Sequence, residues 1–174
     1  MKNNRSVAGT FRAAAAILVM ATIMGLTLPA HSALAAGDPI VVIVNGSNPV
    51  DNLTLGELRK LFLSSHSHWD TGREVAPVMP AAGAPERTLF LKIVCSMNDT
   101  DFDRYFLQAA FAGKFQTPPR VVGSAQDVKR IVGNSPGAIG FVRSSDFHSD
   151  SDSVIKMVRI DGVAATDAAY KIHL

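Results

Sequence analysis

Residues 83–88 carry the pattern in this chain that is best suited to binding a ligand. A short apolar strand, residues 75–79, leads into a loop of small side chains, residues 80–84. Pro85 then suits the first position of a helix, where its missing N–H costs nothing, and Glu86 adds negative charge to the first turn. A strand, a small-residue loop and a helix start together present unpaired backbone N–H groups to an anion. The candidate ligand-binding residues here are Gly83, Ala84, Glu86, Arg87 and Thr88.

A well-formed helix that binds no ligand explains the same pattern and stays open as the alternative. Arg87 has the same two interpretations. Its planar guanidinium could offer two parallel hydrogen bonds to an oxyanion, or it could be an exposed or structural residue of the first turn.

The loop after the first strand supplies two further candidates, Asn45 and Ser47. Residues 40–44 form a continuous β-branched run, typical of a strand buried on both faces. Ligands in open α/β sheets gather outside the carboxyl ends of the strands, so this loop could line the same crevice as residues 83–88. A plain turn explains it equally well.

Catalysis, cofactors and metals have little support in the sequence. No Ser/His/acid arrangement can be placed by motif, and the G-x-S-x-G nucleophile elbow is absent. The three acids within residues 99–103 lack the glycine and the final glutamate of a calcium loop. His66 and His68 lie in a serine-rich turn, and the single cysteine, Cys95, follows two apolar residues and is predicted to be buried. We therefore predict a protein that is not an enzyme and that holds no metal or cofactor.

The first 35 residues predict a secretory signal peptide. Lys2, Arg5 and Arg12 precede an apolar run, and Ala33-Leu34-Ala35 forms a small-x-small cleavage site. A retained membrane anchor is the alternative, although the run is short for a span of roughly 20 apolar residues. Cleavage would leave residues 36–174 as one domain of ordinary size in the periplasm or outside the cell.

The net positive charge of the chain comes from residues 1–35, the predicted signal peptide. Removing its three basic residues from the 17 in the chain leaves 14, against 15 acidic residues. The remaining domain is nearly neutral, so the sequence gives no support for binding nucleic acid, and no membrane association is expected after cleavage.

The remaining chain alternates strand and helix signals. A capping box, Thr54-x-x-Glu57, begins one helix, Ser124-x-x-Asp127 begins another, and Asp99 or Thr100 can begin a further one that ends at Gly113. Residues 138–142 form a second apolar strand, and residues 154–160 a half-exposed one. Pro77 should confine its own strand to an edge or an end of the sheet. This alternation predicts an α/β fold, a mostly parallel mixed sheet flanked by helices.

The order and spacing of several short motifs resemble the phosphate-binding proteins of bacterial ABC importers, in particular their short, secreted relatives. No single motif is specific, but the series covers nearly all of residues 36–174. The motifs are Ile43-Val44-Asn45, Asn48-Pro49, Leu53-Thr54-Leu55-Gly56-Glu57-Leu58, Leu61-Phe62-Leu63, Trp69-x-x-Gly72, Arg87-x-x-Phe90, Phe111-x-Gly113, Pro118, Val132 and Ser135-Pro136-Gly137-Ala138-Ile139-Gly140-Phe141-Val142.

The resemblance implies one lobe of a periplasmic-binding-protein type II fold, in which two α/β lobes close on a ligand. A full protein of this kind carries a further lobe ahead of the matching part, whereas only residues 36–39 precede the first strand here. The resemblance therefore implies half of a cleft. A homodimer, another chain or an ABC permease is the expected partner.

The chain departs from the family at the anion site. The family's Ser-Gly-Thr triplet falls on Ala84-Pro85-Glu86, and the position of the family's arginine falls near Pro80. A carboxylate thus stands where the anion would sit, and two like charges 4 Å apart repel by about 1 kcal/mol in water. Two hypotheses follow: a binding module for phosphate or another small anion, or an interaction or scaffold protein that kept the lobe and lost the pocket.

Overall fold

The computed structural model describes residues 37–64, 67–113, 118–148 and 154–173. The predicted leader and His66 lie outside these ranges. The elements in chain order are β1 (Ile40–Asn45), β2 (Asn52–Leu53), α1 (Leu55–Leu63), β3 (Ala76–Pro80), α2 (Pro85–Phe90), a π-helical turn (Leu91–Cys95), α3 (Asp99–Phe111), β4 (Arg120–Val122), α4 (Ala125–Asn134), β5 (Ala138–Arg143), a 3-10 turn (Ser144–Asp146) and β6 (Ile155–Ile160).

Local signals begin the helices where the sequence predicts. Thr54 Oγ1 accepts the backbone N–H of Glu57 at 3.1 Å, and the Glu57 carboxylate accepts the N–H of Thr54 at 2.8 Å, which completes the capping box before α1. Ser124 Oγ accepts the N–H of Asp127 at 3.1 Å before α4. Asn98, one residue before the predicted cap, begins α3 by accepting the N–H of Asp101.

Six strands form one mixed sheet in the order β2-β6-β1-β5-β3-β4. β3 pairs in parallel with β4 and β5, and β2 in parallel with β6, whereas β1 is antiparallel to both of its neighbours. Five strands therefore point one way and β1 the other. The α/β fold class with a mostly parallel sheet is confirmed, but β2 and β4 are too short for the hydrophobic pattern to have revealed them.

Pro77 does not make β3 an edge strand, because β3 lies between β5 and β4. Pairing with β5 covers Ala76 and Pro77, and pairing with β4 starts only at Val78. The proline thus lies at the beginning of the strand, before its second neighbour joins it. The predicted position of β3 at an edge or an end of the sheet is therefore wrong, and the proline is tolerated because it lies near the start of the strand.

The apolar core has two layers, one on each face of the sheet. Alternate side chains of β1 enter both layers, and every residue of this strand is buried, as its β-branched run predicts. One layer packs under α1, α2 and α3 and contains Phe62, Phe90 and Phe141. The other packs under α4 through Val128, Ile131 and Val132.

Cys95 and Trp69 both belong to the first layer. Burial raises the pKa of the Cys95 thiol to about 11, so it is protonated at neutral pH. The Trp69 side chain is buried, and its Nε1 donates to Gly137 O at 2.9 Å, which packs the loop before β3 onto the sheet. Within the described ranges, none of the helices is both long and apolar enough to cross a bilayer.

Candidate functional site

The topology brings the ends of several strands to one edge of the sheet. Because β1 is antiparallel to the other five strands, the carboxyl ends of β3 and β5 lie at the edge where β1 begins, and Arg143 pairs with Ile40. We call this the carboxyl edge. The loop from β3 into α2, residues 81–84, leaves from it. In open α/β sheets ligands bind at this edge.

Glu86 and Arg143 form an ion pair at the carboxyl edge. The Nε and Nη2 atoms of Arg143 donate to the same carboxylate oxygen, Glu86 Oε2, at 3.1 and 2.9 Å. The Glu86 side chain is 15% exposed and that of Arg143 is 36% exposed, so the pair is partly open to solvent. Hydrogen bonding to Glu86, followed by its charge, raises the pKa of the Arg143 guanidinium. The Arg143 guanidinium is therefore already paired with the Glu86 carboxylate.

An aromatic contact behind this ion pair joins the same two elements. Glu86 and Phe90 are four residues apart on α2, and Phe141 and Arg143 are two residues apart on β5, so each pair shares a face of its element. The rings of Phe90 and Phe141 stack with centroids 3.9 Å apart and planes 6° apart. The buried stack therefore holds α2 against β5 next to the ion pair.

Arg87 is a structural residue whose guanidinium is turned into the protein. Its side chain is 3% exposed, and its Nε donates to Asp99 Oδ1 at 2.5 Å. Its Nη1 donates to the carbonyl oxygen of Pro80 at 3.2 Å, and Nη2 lies 3.6 Å from an oxygen of Asp103. Of the two interpretations of Arg87, the structural one fits, because its donors tie the end of β3 and the start of α3 to α2. The interpretation of Arg87 as a ligand for an oxyanion does not fit, because its guanidinium donors already bind Asp99 and the carbonyl oxygen of Pro80.

The other residues of the predicted loop lie at the surface of the carboxyl edge. Gly83 has a φ of +84°, a conformation that favours glycine, and it is exposed. Ala84 caps α2 without a side-chain hydrogen bond, and its carbonyl accepts the N–H of Thr88 at 3.0 Å. The side chain of Thr88 is exposed. This loop is therefore open to an approaching solute.

Asn45 and Ser47 lie at the opposite edge of the sheet. Asn45 ends β1 beside Ile155, which begins β6. Its Nδ2 donates to the carbonyl oxygens of Val132 and Gly133 at 3.0 and 2.7 Å, and its Oδ1 accepts both the backbone N–H and the hydroxyl of Ser47. The expectation that this loop lines the same crevice as residues 83–88 is wrong, because β1 runs against the other strands.

The acidic residues within residues 99–103 form ion pairs with arginines. Asp99 pairs with Arg87, and Asp101 lies 3.3 Å from Arg104 one turn along α3. In the part of the chain that the structure describes, no three His, Cys, Asp or Glu side chains group as metal ligands would.

The carboxyl-edge residue that motif reasoning missed is Arg143. It is not part of any motif, and it follows the apolar strand signal directly. The rule that ligands collect where parallel strands end could have pointed to it. Finding it also required knowing that β5 and β3 are neighbours.

No family model matches this chain, and no curated protein matches it. Among solved structures it is similar to a phosphate ABC transporter substrate-binding protein with bound phosphate from Clostridium perfringens (23% identity, TM-score 0.62, 79% of this chain and 53% of that one). It is also similar to an ABC-type phosphate transport receptor from Vibrio cholerae, with 19% identity, a TM-score of 0.59 and coverage of 75% of this chain and 49% of that one. A third similar structure is PstS from Borrelia burgdorferi, with 13% identity, a TM-score of 0.55 and coverage of 74% of this chain and 49% of that one.

These likenesses show the fold. The described residues share the α/β fold of these substrate-binding proteins, and the predicted fold class is confirmed. This chain spans about half of the length of each of the three proteins it matches.

Proposed function

We propose that this protein is a secreted, periplasmic solute-binding protein related to the phosphate-binding component of ABC importers. Residues 1–35 are its signal peptide and residues 36–174 its binding domain. It binds phosphate or another small anion at the carboxyl edge and catalyses no reaction. The observation that carries the proposal is Arg143, a partly exposed guanidinium at this edge of a lobe whose solved neighbours include phosphate-binding proteins.

The geometry around Arg143 explains how an anion would be held. A guanidinium offers planar, paired donors that match an oxyanion, and the loop of residues 81–84 is open beside it. Glu86 already accepts two of the Arg143 donors, so an incoming anion must displace or share them. Glu86 also repels the anion. The chain alone should therefore bind weakly, and Asn45 and Ser47 take no part in this site.

A partner surface would complete the site. The chain spans about half of its solved neighbours, and a cleft between lobes would need a second lobe. A second copy of this chain or another protein could supply it, with an ABC permease as the further partner of an importer component.

Titration of the purified protein with phosphate, sulfate and acetate tests this function. We expect binding heat with phosphate and a higher melting temperature, since a ligand at a hundredfold excess over its Kd stabilises the folded state by about 2.7 kcal/mol. Arg143→Gln should abolish both effects, because it removes the charge at the site. Arg104→Gln, which removes an exposed arginine on α3, should leave them unchanged.

An absence of heat and of any thermal shift at millimolar anion would contradict the proposal. That result would favour the interaction or scaffold protein instead, in which the Glu86–Arg143 pair has replaced the ligand.

The double variant Glu86→Thr with Pro85→Gly should bind phosphate more tightly than the natural chain. It frees Arg143, restores one backbone N–H and removes a repulsion of about 1 kcal/mol, which corresponds to roughly fivefold in Kd. Calorimetry with phosphate measures the change. The control, Asp70→Thr, removes one negative charge from the exposed loop before β3 and should leave the Kd unchanged. Equal affinities for the double variant and the natural chain would show that residues 85 and 86 do not face the anion.

A further inference from the structure

A cavity of about 540 Å³ lies at the edge of the sheet opposite the carboxyl edge. We call it the amino-edge cavity, because it forms where β3, β4 and β5 begin and where α4 ends. Its volume falls within the range of about 300–1,000 Å³ that is typical of sites for small molecules. Its wall combines apolar and polar groups, among them Arg73, Arg120, Ser135, Pro77, Pro118 and Pro136.

The side chains of the two arginines in this cavity have no protein partner among the described residues. In the part of the chain that the structure describes, neither Arg73 nor Arg120 makes a side-chain hydrogen bond or an ion pair, whereas both arginines of the carboxyl edge are paired with carboxylates. Both side chains are exposed, so their donors face water and can form charge-assisted hydrogen bonds to an anion without displacing a carboxylate. The amino-edge cavity thus has positive charge available, and the carboxyl edge does not without displacing Glu86.

An interaction with the carboxyl terminus of α4 does not explain why two arginines lie in this cavity. A helix carboxyl terminus attracts cations through its free carbonyl groups. Here Asn45 Nδ2 already donates to the carbonyl oxygens of Val132 and Gly133, and the N–H of Ser135 donates to Val132 O at 3.4 Å. The carbonyl groups at this terminus are therefore largely satisfied by other donors.

We propose that the amino-edge cavity binds an organic anion, an apolar body that carries one carboxylate or phosphate group. The proline rings suit the apolar body, and the guanidinium groups suit the anionic group. Glu74 is the acidic residue in the wall, so Arg73, Arg120 and Glu74 together leave one net positive charge, which matches a singly charged group. The site is independent of the proposed anion site at Arg143.

Trp69 provides a reporter for this cavity. It is the single tryptophan of the chain. Its Nε1 donates to Gly137 O at 2.9 Å and its backbone N–H to Arg73 O at 2.8 Å, and both acceptor residues line the cavity. Occupation of the cavity should therefore change the fluorescence of Trp69.

Titration of the purified protein with cyclohexanecarboxylate, which does not absorb where indole is excited, tests the proposal. We expect a saturable change in emission with this probe and none with the uncharged analogue cyclohexanemethanol. Arg73→Gln and Arg120→Gln should each raise the Kd at least about tenfold, since a hydrogen bond to a charged group is lost. Both side chains are exposed, so these variants should fold, and circular dichroism checks that they do.

Two further variants separate this site from the one at the carboxyl edge. Arg143→Gln should abolish the binding of inorganic phosphate and leave the response to cyclohexanecarboxylate intact, and Arg104→Gln should change neither. The proposal is overturned if millimolar cyclohexanecarboxylate leaves the emission unchanged, if cyclohexanemethanol binds equally well, or if Arg143→Gln weakens the response while the folded Arg73 and Arg120 variants do not.

Discussion

Phe90→Ala is expected to destabilise the protein by about 3–5 kcal/mol, the range for removing a buried phenylalanine ring from a core. The ring is 0% exposed, and its centroid lies 3.9 Å from that of Phe141 and 4.7 Å from that of Phe62. Proteins of this size have a total stability of about 5–15 kcal/mol, so the loss would be a large share of it. Urea unfolding monitored by circular dichroism measures the change.

The same substitution should also loosen the candidate site. The stack of Phe90 on Phe141 holds α2 against β5, and Glu86 and Arg143 extend from the same faces of these two elements. Phe111→Ala is the matched control. That ring is 84% exposed, so its removal should change the stability by less than about 0.5 kcal/mol. Similar losses for both variants would show that the aromatic stack does not hold the layer together.

Gly137→Ala is expected to destabilise the protein by about 3 kcal/mol, the upper part of the range for overpacking a core. A Cβ atom at this position would lie 2.3 Å from the carbonyl oxygen of Glu74, which is backbone and cannot rotate away. The chain would have to separate where Ala76 N donates to Gly137 O and where Trp69 Nε1 donates to the same oxygen. Thermal unfolding should show a drop of roughly 10 °C, and Trp69 emission should shift as its hydrogen bond weakens.

Gly123→Ala is the control for this prediction. No atom lies within 4 Å of a Cβ atom built at residue 123, so the change should be nearly neutral. A melting temperature for Gly137→Ala equal to that of the natural chain would mean that residues 73–75 and the turn before β5 do not pack as closely as the structure places them.

Several features of this fold follow from the sequence because they depend on residues within one turn of each other. The capping box at Thr54 and the cap at Ser124 join atoms three residues apart, so they can be identified without any knowledge of the partners of the helix. The burial of β1 on both faces follows in the same way from its unbroken β-branched run. The resemblance in motif order predicts the observed fold for the same reason, since it rests on short local patterns that follow one another in a set order.

The candidate site was only partly predictable. Small residues and a proline after a strand predict the loop that joins β3 to α2, and the structure has a loop there, whereas the binding of a ligand by residues 83–88 stays a prediction. The sequence leaves the role of Arg87 open, because a first-turn arginine fits the same pattern whether its guanidinium faces solvent or Asp99. The sequence cannot assign Asn45 and Ser47 to the correct edge of the sheet, because a strand buried on both faces is an unbroken apolar run whether its neighbours are parallel or antiparallel.

The sequence by itself thus determined where the helices begin, which strand is buried on both faces and where a small-residue loop leads into a helix, since each depends on near neighbours in the chain. Only the tertiary structure decided the direction of β1, the pairing of Glu86 with Arg143 across 57 residues, and the position of Arg73 beside Arg120 in one cavity. These depend on which strands become neighbours. That choice is made by the packing of both faces of the sheet at once, and no short stretch of sequence records it.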